Sequence, residues 1–172
     1  MEDVTLFKSK ASDIFIKLLL GIMSRDLSRV KPFLSDELYN KYLDVVNNDI
    51  NNNLIHCYDE LNVKNIDIVK EVSVDEYYYV FINLTSLYMD YYMNADTSEY
   101  VSGVNNRRVE VVHEITFKKK VGVEKVNVTK CPNCGASVDL EKVSKCPYCN
   151  EDLSNINYDY IMCEVSNLWK KD

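Results

Sequence analysis

Glycine and proline are scarce, with four and three residues in a chain of 172, well under ordinary usage. That shortage excludes collagen-like and low-complexity architectures. Three of the seven (Pro132, Gly135 and Pro147) fall in one cysteine-rich stretch, so special backbone geometry is concentrated there. Long apolar runs are also lacking. The most apolar segment, Ile14 to Met23, is interrupted by Lys17 and falls short of the roughly 20 residues that cross a bilayer. Basic residues are missing from the start, where Glu2 and Asp3 stand in place of the positive region of an export signal; a cytoplasmic protein is expected. Positive charge is in deficit overall. A formal net charge of −7 excludes a surface that embraces nucleic acid on every side, although a local basic stripe stays allowed.

What is present fits one globular domain with a small insert. The chain is 47% hydrophobic and 27% charged, enough apolar content for a core and too little charge for disorder. Val4, Phe7, Ala11, Ile14, Phe15, Leu18, Leu19 and Met23 recur every three or four positions, which predicts a helix over Val4 to Met23. A helical turn follows over Leu27 to Leu34, broken near Pro32. Ser35 then caps a further helix, with Asp36 and Glu37 in the first turn where the dipole favours negative charge. Its stripe is Leu38, Tyr42, Val46, Ile50 and Leu54, and the asparagines at 51 to 53 blur its end.

Beyond Glu60 the period changes to two. Val63 to Ile68, Tyr77 to Leu87, Arg107 to Lys119 and about Tyr158 to Trp169 read as strands, with Gly103, Asn105 and Asn106 in the loop before the third. Helices followed by strands predict an α+β fold, the helices packed on one face of an antiparallel sheet. Residues 1–128 would form the helices and first three strands, 129–156 the cysteine-rich insert, and 157–172 the last strand.

The insert carries the chemistry. Cys131-Pro132-Asn133-Cys134-Gly135 and Cys146-Pro147-Tyr148-Cys149-Asn150 are two copies of one knuckle. Two thiolates spaced this way hold one edge of a tetrahedron, so Cys131, Cys134, Cys146 and Cys149 close a four-sulfur site. Gly135 and Asn150 can take the left-handed conformation that turns N–H groups toward sulfur. A pair of redox dithiols would need two independent active sites in one short segment. Iron also accepts four thiolates, but the short loop and the lack of neighbouring redox residues favour one zinc ion. With no open coordination position, that zinc is structural. Cys57 and Cys163 lie outside the pattern and read as buried fillers.

The layout resembles the bacterial Tim-forty-four-like domain in its variant with a zinc ribbon. The likeness rests on Leu6-Phe7-Lys8 through Met23, on Ser24-Arg25-Asp26-Leu27 leading to Phe33-Leu34-Ser35-Asp36-Glu37-Leu38-Tyr39, on Ile115-Thr116-Phe117-Lys118, and on a ribbon before the final strand. The resemblance implies a cone like that of nuclear transport factor two, a curved sheet wrapped by helices around a concave pocket. It also implies a non-enzymatic scaffold or adaptor that binds a protein partner or an anionic membrane surface, peripheral at the inner face of the membrane.

Three other features mark candidate surfaces. Alternation sends Tyr77, Tyr79 and Phe81 to one face, where with His113 they could line the pocket; aromatic residues also simply favour strands. Residues 107–130 hold seven basic against three acidic side chains, and Arg107, Arg108, Lys118, Lys119 and Lys120 are the candidate contacts for lipid or, as the alternative function, nucleic acid. His113 near Asp90 or Tyr91 could serve as a base in a cone enzyme, but a lone histidine on an apolar face is usually a core residue. No catalytic residue and no small-molecule substrate are assigned.

Overall fold

The computed structural model describes residues 3–121, 128–131, 133–139, 142–153 and 160–171. Helix α1 (Val4–Ser24) starts where the Asp3 carboxylate accepts the Leu6 N–H at 3.1 Å. It ends at Arg25, which turns left-handed (φ 59°). Phe7, Ala11, Ile14, Phe15, Leu18, Leu19 and Ile22 are buried along its inner stripe, whereas Val4 is 47% exposed. A short 3₁₀ turn (Lys31–Phe33) holds Pro32 in its first turn, as the fixed φ of proline favours.

Helix α2 (Asp36–Asn51) is capped by Ser35, whose buried Oγ accepts the Leu38 N–H at 3.2 Å. Ser35→Ala is expected to cost about 1 kcal/mol, read as a lower urea midpoint at unchanged slope; an unchanged midpoint would show that the cap contributes nothing. The helix stops before Leu54, which the periodicity had placed on its stripe, because Asn53 adopts φ 55° and reverses the chain. Ile50, also placed on the stripe, is 45% exposed.

Four long strands make the antiparallel sheet: β1 (Leu54–Val74), β2 (Tyr77–Asn94), β3 (Tyr100–Lys120) and β6 (Ile161–Lys171), in the order β1-β2-β3-β6. All are longer than the alternation predicts, apart from β6, whose expected start at Tyr158 lies outside the described residues. Register shifts at Asp59/Asn62, Val63/Asn65 and Ile68/Lys70 interrupt period two, so the eye loses β1 where its bulges fall. Gly103, Asn105 and Asn106 belong to β3 and not to a loop; the connection is 95–99. Gly103 sits at a positive φ of 98°, and a Cβ there would lie 2.4 Å from the Asp90 carbonyl oxygen. Only glycine fits that crossing.

One face of this curved sheet receives the helices. Val80, Ile82, Leu84 and Tyr88 of β2 and Val109, Val111, Ile115 and Phe117 of β3 form the core with α1. Phe7 meets Phe117 edge to face at 5.6 Å. The helix-facing side of the sheet is thus a packed hydrophobic core.

Candidate metal centre

The insert is a second, separate small core. Strands β4 (Val128–Lys130) and β5 (Ser137–Asp139) pair as a hairpin, with Thr129 opposite Val138. The first knuckle spans their connection. Around it Val138, Leu153, Cys131 and Cys146 are buried, with Val143 and Cys149 packed against them.

Both knuckles fold alike. The Cys131 N–H donates to Ala136 O at 2.7 Å and the Gly135 N–H to Cys131 O at 2.9 Å; in the second copy the Cys146 N–H donates to Glu151 O at 2.9 Å and the Asn150 N–H to Cys146 O at 2.8 Å. Gly135 (φ 76°) and Asn150 (φ 64°) both take the left-handed conformation expected of them. The repeated turn aims all four sulfurs at one point.

Those sulfurs lie within 4.8 Å of one another, with Cys131 Sγ 3.5 Å from Cys149 Sγ and Cys134 Sγ 3.6 Å from Cys146 Sγ. A zinc–sulfur bond of about 2.3 Å implies tetrahedral edges of about 3.8 Å, so the cluster has the dimensions of a tetrathiolate site. All six cysteines are free thiols. The Asn133 side chain and the Glu151 N–H hold the Cys149 thiol below its ordinary value, while against the Ala136 N–H burial and the neighbouring thiols push Cys134 up, so in the metal-free cluster the sulfurs share protons. The donor set is all sulfur, which suits zinc and excludes the oxygen-seeking calcium and magnesium.

The other expected site residues are not brought together as one pocket. His113 points to the helix-packed face, 7% exposed, with its ring 5.1 Å from that of Phe15. Tyr77, Tyr79 and Phe81 are half-buried on the opposite face, because the core-facing positions of β2 are Val80, Ile82 and Leu84. The basic stripe also divides. Arg107 and Arg108 lie near the middle of β3 and Lys118, Lys119 and Lys120 at its end, roughly 33 Å apart along an extended strand. Lys119 stands over the Tyr160 ring at 5.3 Å. Lys125, counted in the same stripe, lies outside the described residues.

A polar network unforeseen from the sequence occupies the far end of the sheet. Asp90 takes His56 Nε2 at 2.6 Å and Lys170 Nζ at 2.8 Å, and Tyr58 Oη meets His56 Nδ1 at 3.0 Å. The His56 ring is stacked on both Tyr58 and Tyr92. Burial pushes the Asp90 carboxyl upward, but the His56 and Lys170 hydrogen bonds outweigh it and leave the group below its ordinary value. His56 and Asp90 meet diagonally, since their register partners are Tyr92 and Tyr58. That register cannot be read through the bulges of β1.

The protein is therefore a helix-packed curved sheet of α+β class carrying a four-cysteine appendage. A family model for the Tim44-like domain matches residues 3–127, and the chain belongs to that family, one of scaffold and adaptor domains that are generally non-enzymatic. None of the curated proteins compared matches the chain. Among the described residues no helix is long and apolar enough to cross a membrane.

Proposed function

We propose that the protein is a zinc-stabilised adaptor that catalyses nothing and binds a protein partner. Cys131, Cys134, Cys146 and Cys149 would hold the zinc, which supplies folding energy to the appendage and, with four protein ligands, no open position for a substrate. The reading carries with it a cytoplasmic location, peripheral at the inner face of the membrane where the partner is itself membrane-bound.

One observation carries this reading. A cleft of about 790 Å³ runs between α1 and the cysteine appendage, lined by Asp13, Lys17, Leu20, Phe33, Arg29 and Glu151 among others. Arg29 and Glu151 approach to 4.0 Å across it, and Leu20 is 47% exposed on its wall. A lining that mixes apolar with charged side chains is the composition of a protein contact. The divided basic stripe supports a protein over an anionic membrane as the occupant.

The test is affinity capture with the intact protein beside its Leu20→Glu variant, together with flotation on anionic vesicles. A partner recovered reproducibly by the parent and lost by the folded variant is expected, with no flotation. Capture unaffected by Leu20→Glu, or vesicle binding without a protein partner, would refute the reading.

A further inference from the structure

The face of the sheet opposite the helices brings together two sets of residues that the sequence keeps apart. Tyr77, Tyr79 and Phe81 occupy alternate positions of the inner strand β2, at one end of the sheet. Opposite them on β1 stand Val74, Val72 and Lys70; opposite them on β3 stand Lys120, Lys118 and Thr116. These nine residues include three aromatic rings and three lysines, in a chain whose net charge is −7; exposed Glu164 of β6, beside Thr116, and exposed Glu114 of β3 border them. Glu76, in the turn joining β1 to β2, meets Lys120 at 3.0 Å on the rim.

The lysines are placed in relation to the rings. Lys70 Nζ stands 6.0 Å from the Phe81 centroid and Lys118 Nζ 5.2 Å from that of Tyr77, while the Tyr77 and Tyr79 centroids are 6.2 Å apart. An ammonium over a ring uses the face that a base would take, so the two compete for it. Behind the rings, Val80 and Ile82 are fully buried, so the row is mounted on the packed core.

We propose that this face binds single-stranded nucleic acid, with Tyr77, Tyr79 and Phe81 stacking successive bases and Lys70, Lys118 and Lys120 receiving the phosphates. Alternate residues on a strand are about 6.6 Å apart, which suits an extended strand with splayed bases. A base taking a ring face displaces the lysine above it toward the backbone. Open sheets with aromatic platforms recognise single strands this way, largely without regard to sequence. A duplex hides its base faces and cannot use the rings. A membrane surface could use the lysines, but it would leave the ring faces without a flat partner. The inference goes beyond the adaptor reading and uses a different face of the molecule.

The test is fluorescence anisotropy of a labelled short oligouridine with the metal-replete protein. Binding is expected near 50 mM salt and should weaken about sixteenfold by 200 mM, because three phosphate contacts to a single strand give a logarithmic slope of about −2. Tyr79→Ala should weaken it at least fivefold and Tyr79→Phe should restore it, since stacking needs the ring and not the hydroxyl. Should Tyr79→Ala fail to fold, the surface change Lys118→Glu should give a comparable loss with a shallower salt slope. Absence of binding at low salt, indifference to both Tyr79→Ala and Lys118→Glu, or patch-dependent binding to phosphatidylserine vesicles in place of the oligonucleotide would each overturn the proposal.

Discussion

Cys146→Ser is expected to abolish metal retention and to unfold the appendage while leaving the helix-packed sheet intact. Cys146 is 2% exposed and sits in the small core with Val138 and Leu153. Burying those two aliphatic side chains contributes roughly 3–6 kcal/mol, set against ~1–2 kcal/mol of backbone entropy for every residue ordered. Structural zinc in such modules contributes ~10–16 kcal/mol. Hydrophobic burial alone therefore cannot hold this segment, and removal of one sulfur removes the term that does. The two cores share no residue, and Arg29, whose contact with Glu151 reaches across, is 68% exposed. Elemental analysis of the parent protein, purified without chelator, should find one zinc per chain. The variant should fall below a tenth of that, gain protease sites between β3 and β6, and keep most of its strand signal. Stoichiometric metal in the variant, or none in the parent, would remove the basis of the zinc reading, and a coloured thiolate complex would assign iron instead. Loss of the whole fold would contradict the independence of the two cores.

The knuckles were legible because each carries its own geometry: two sulfurs, a proline and a residue able to turn left-handed. Helix α1 was legible for a similar reason, its ends lying within one residue of the periodic stripe. The sheet was less so. In β2 both faces are apolar, with Val80, Ile82 and Leu84 on one and Tyr77, Tyr79 and Phe81 on the other. Alternation sorts these into two rows but does not say which row faces the helices. Partners across strands were harder still. Lys118 and Tyr77 are distant in the chain and meet only through the β2–β3 register; Arg107 and Lys118 are near in the chain and far apart in space, because one strand separates them. The His56–Asp90 pair depends on bulges in β1, for which a single sequence offers no signal.

Acidification is expected to destabilise the core through His113. The sequence places this histidine on the inward face between Val111 and Ile115, and the structure keeps it there, 7% exposed, with Nδ1 lacking a hydrogen-bond partner. Burial lowers its pKa from 6.5 to about 4, against a smaller opposing pull from Asp90. A histidine depressed on folding favours the neutral form in the native state. In the window between the two values the unfolded chain binds the extra proton, so stability rises with pH there. The contribution is fully present above about pH 6.5, falls as the pH is lowered toward about 4, and levels off below. Two to three pH units at ~1.4 kcal/mol each amount to about 3 kcal/mol. Acid also releases thiolate-bound metal, which a single profile would confuse with the histidine. His113→Leu separates them, because it leaves all four sulfurs in place. Near neutral pH the variant should equal or exceed the parent in stability, since it removes a buried unsatisfied nitrogen. In urea unfolding near pH 7.5 and pH 4.5, the parent should lose about 3 kcal/mol more than the variant. Parallel profiles would show that His113 exchanges its proton without cost to the fold, through an opening that lets water reach the ring beside Phe15.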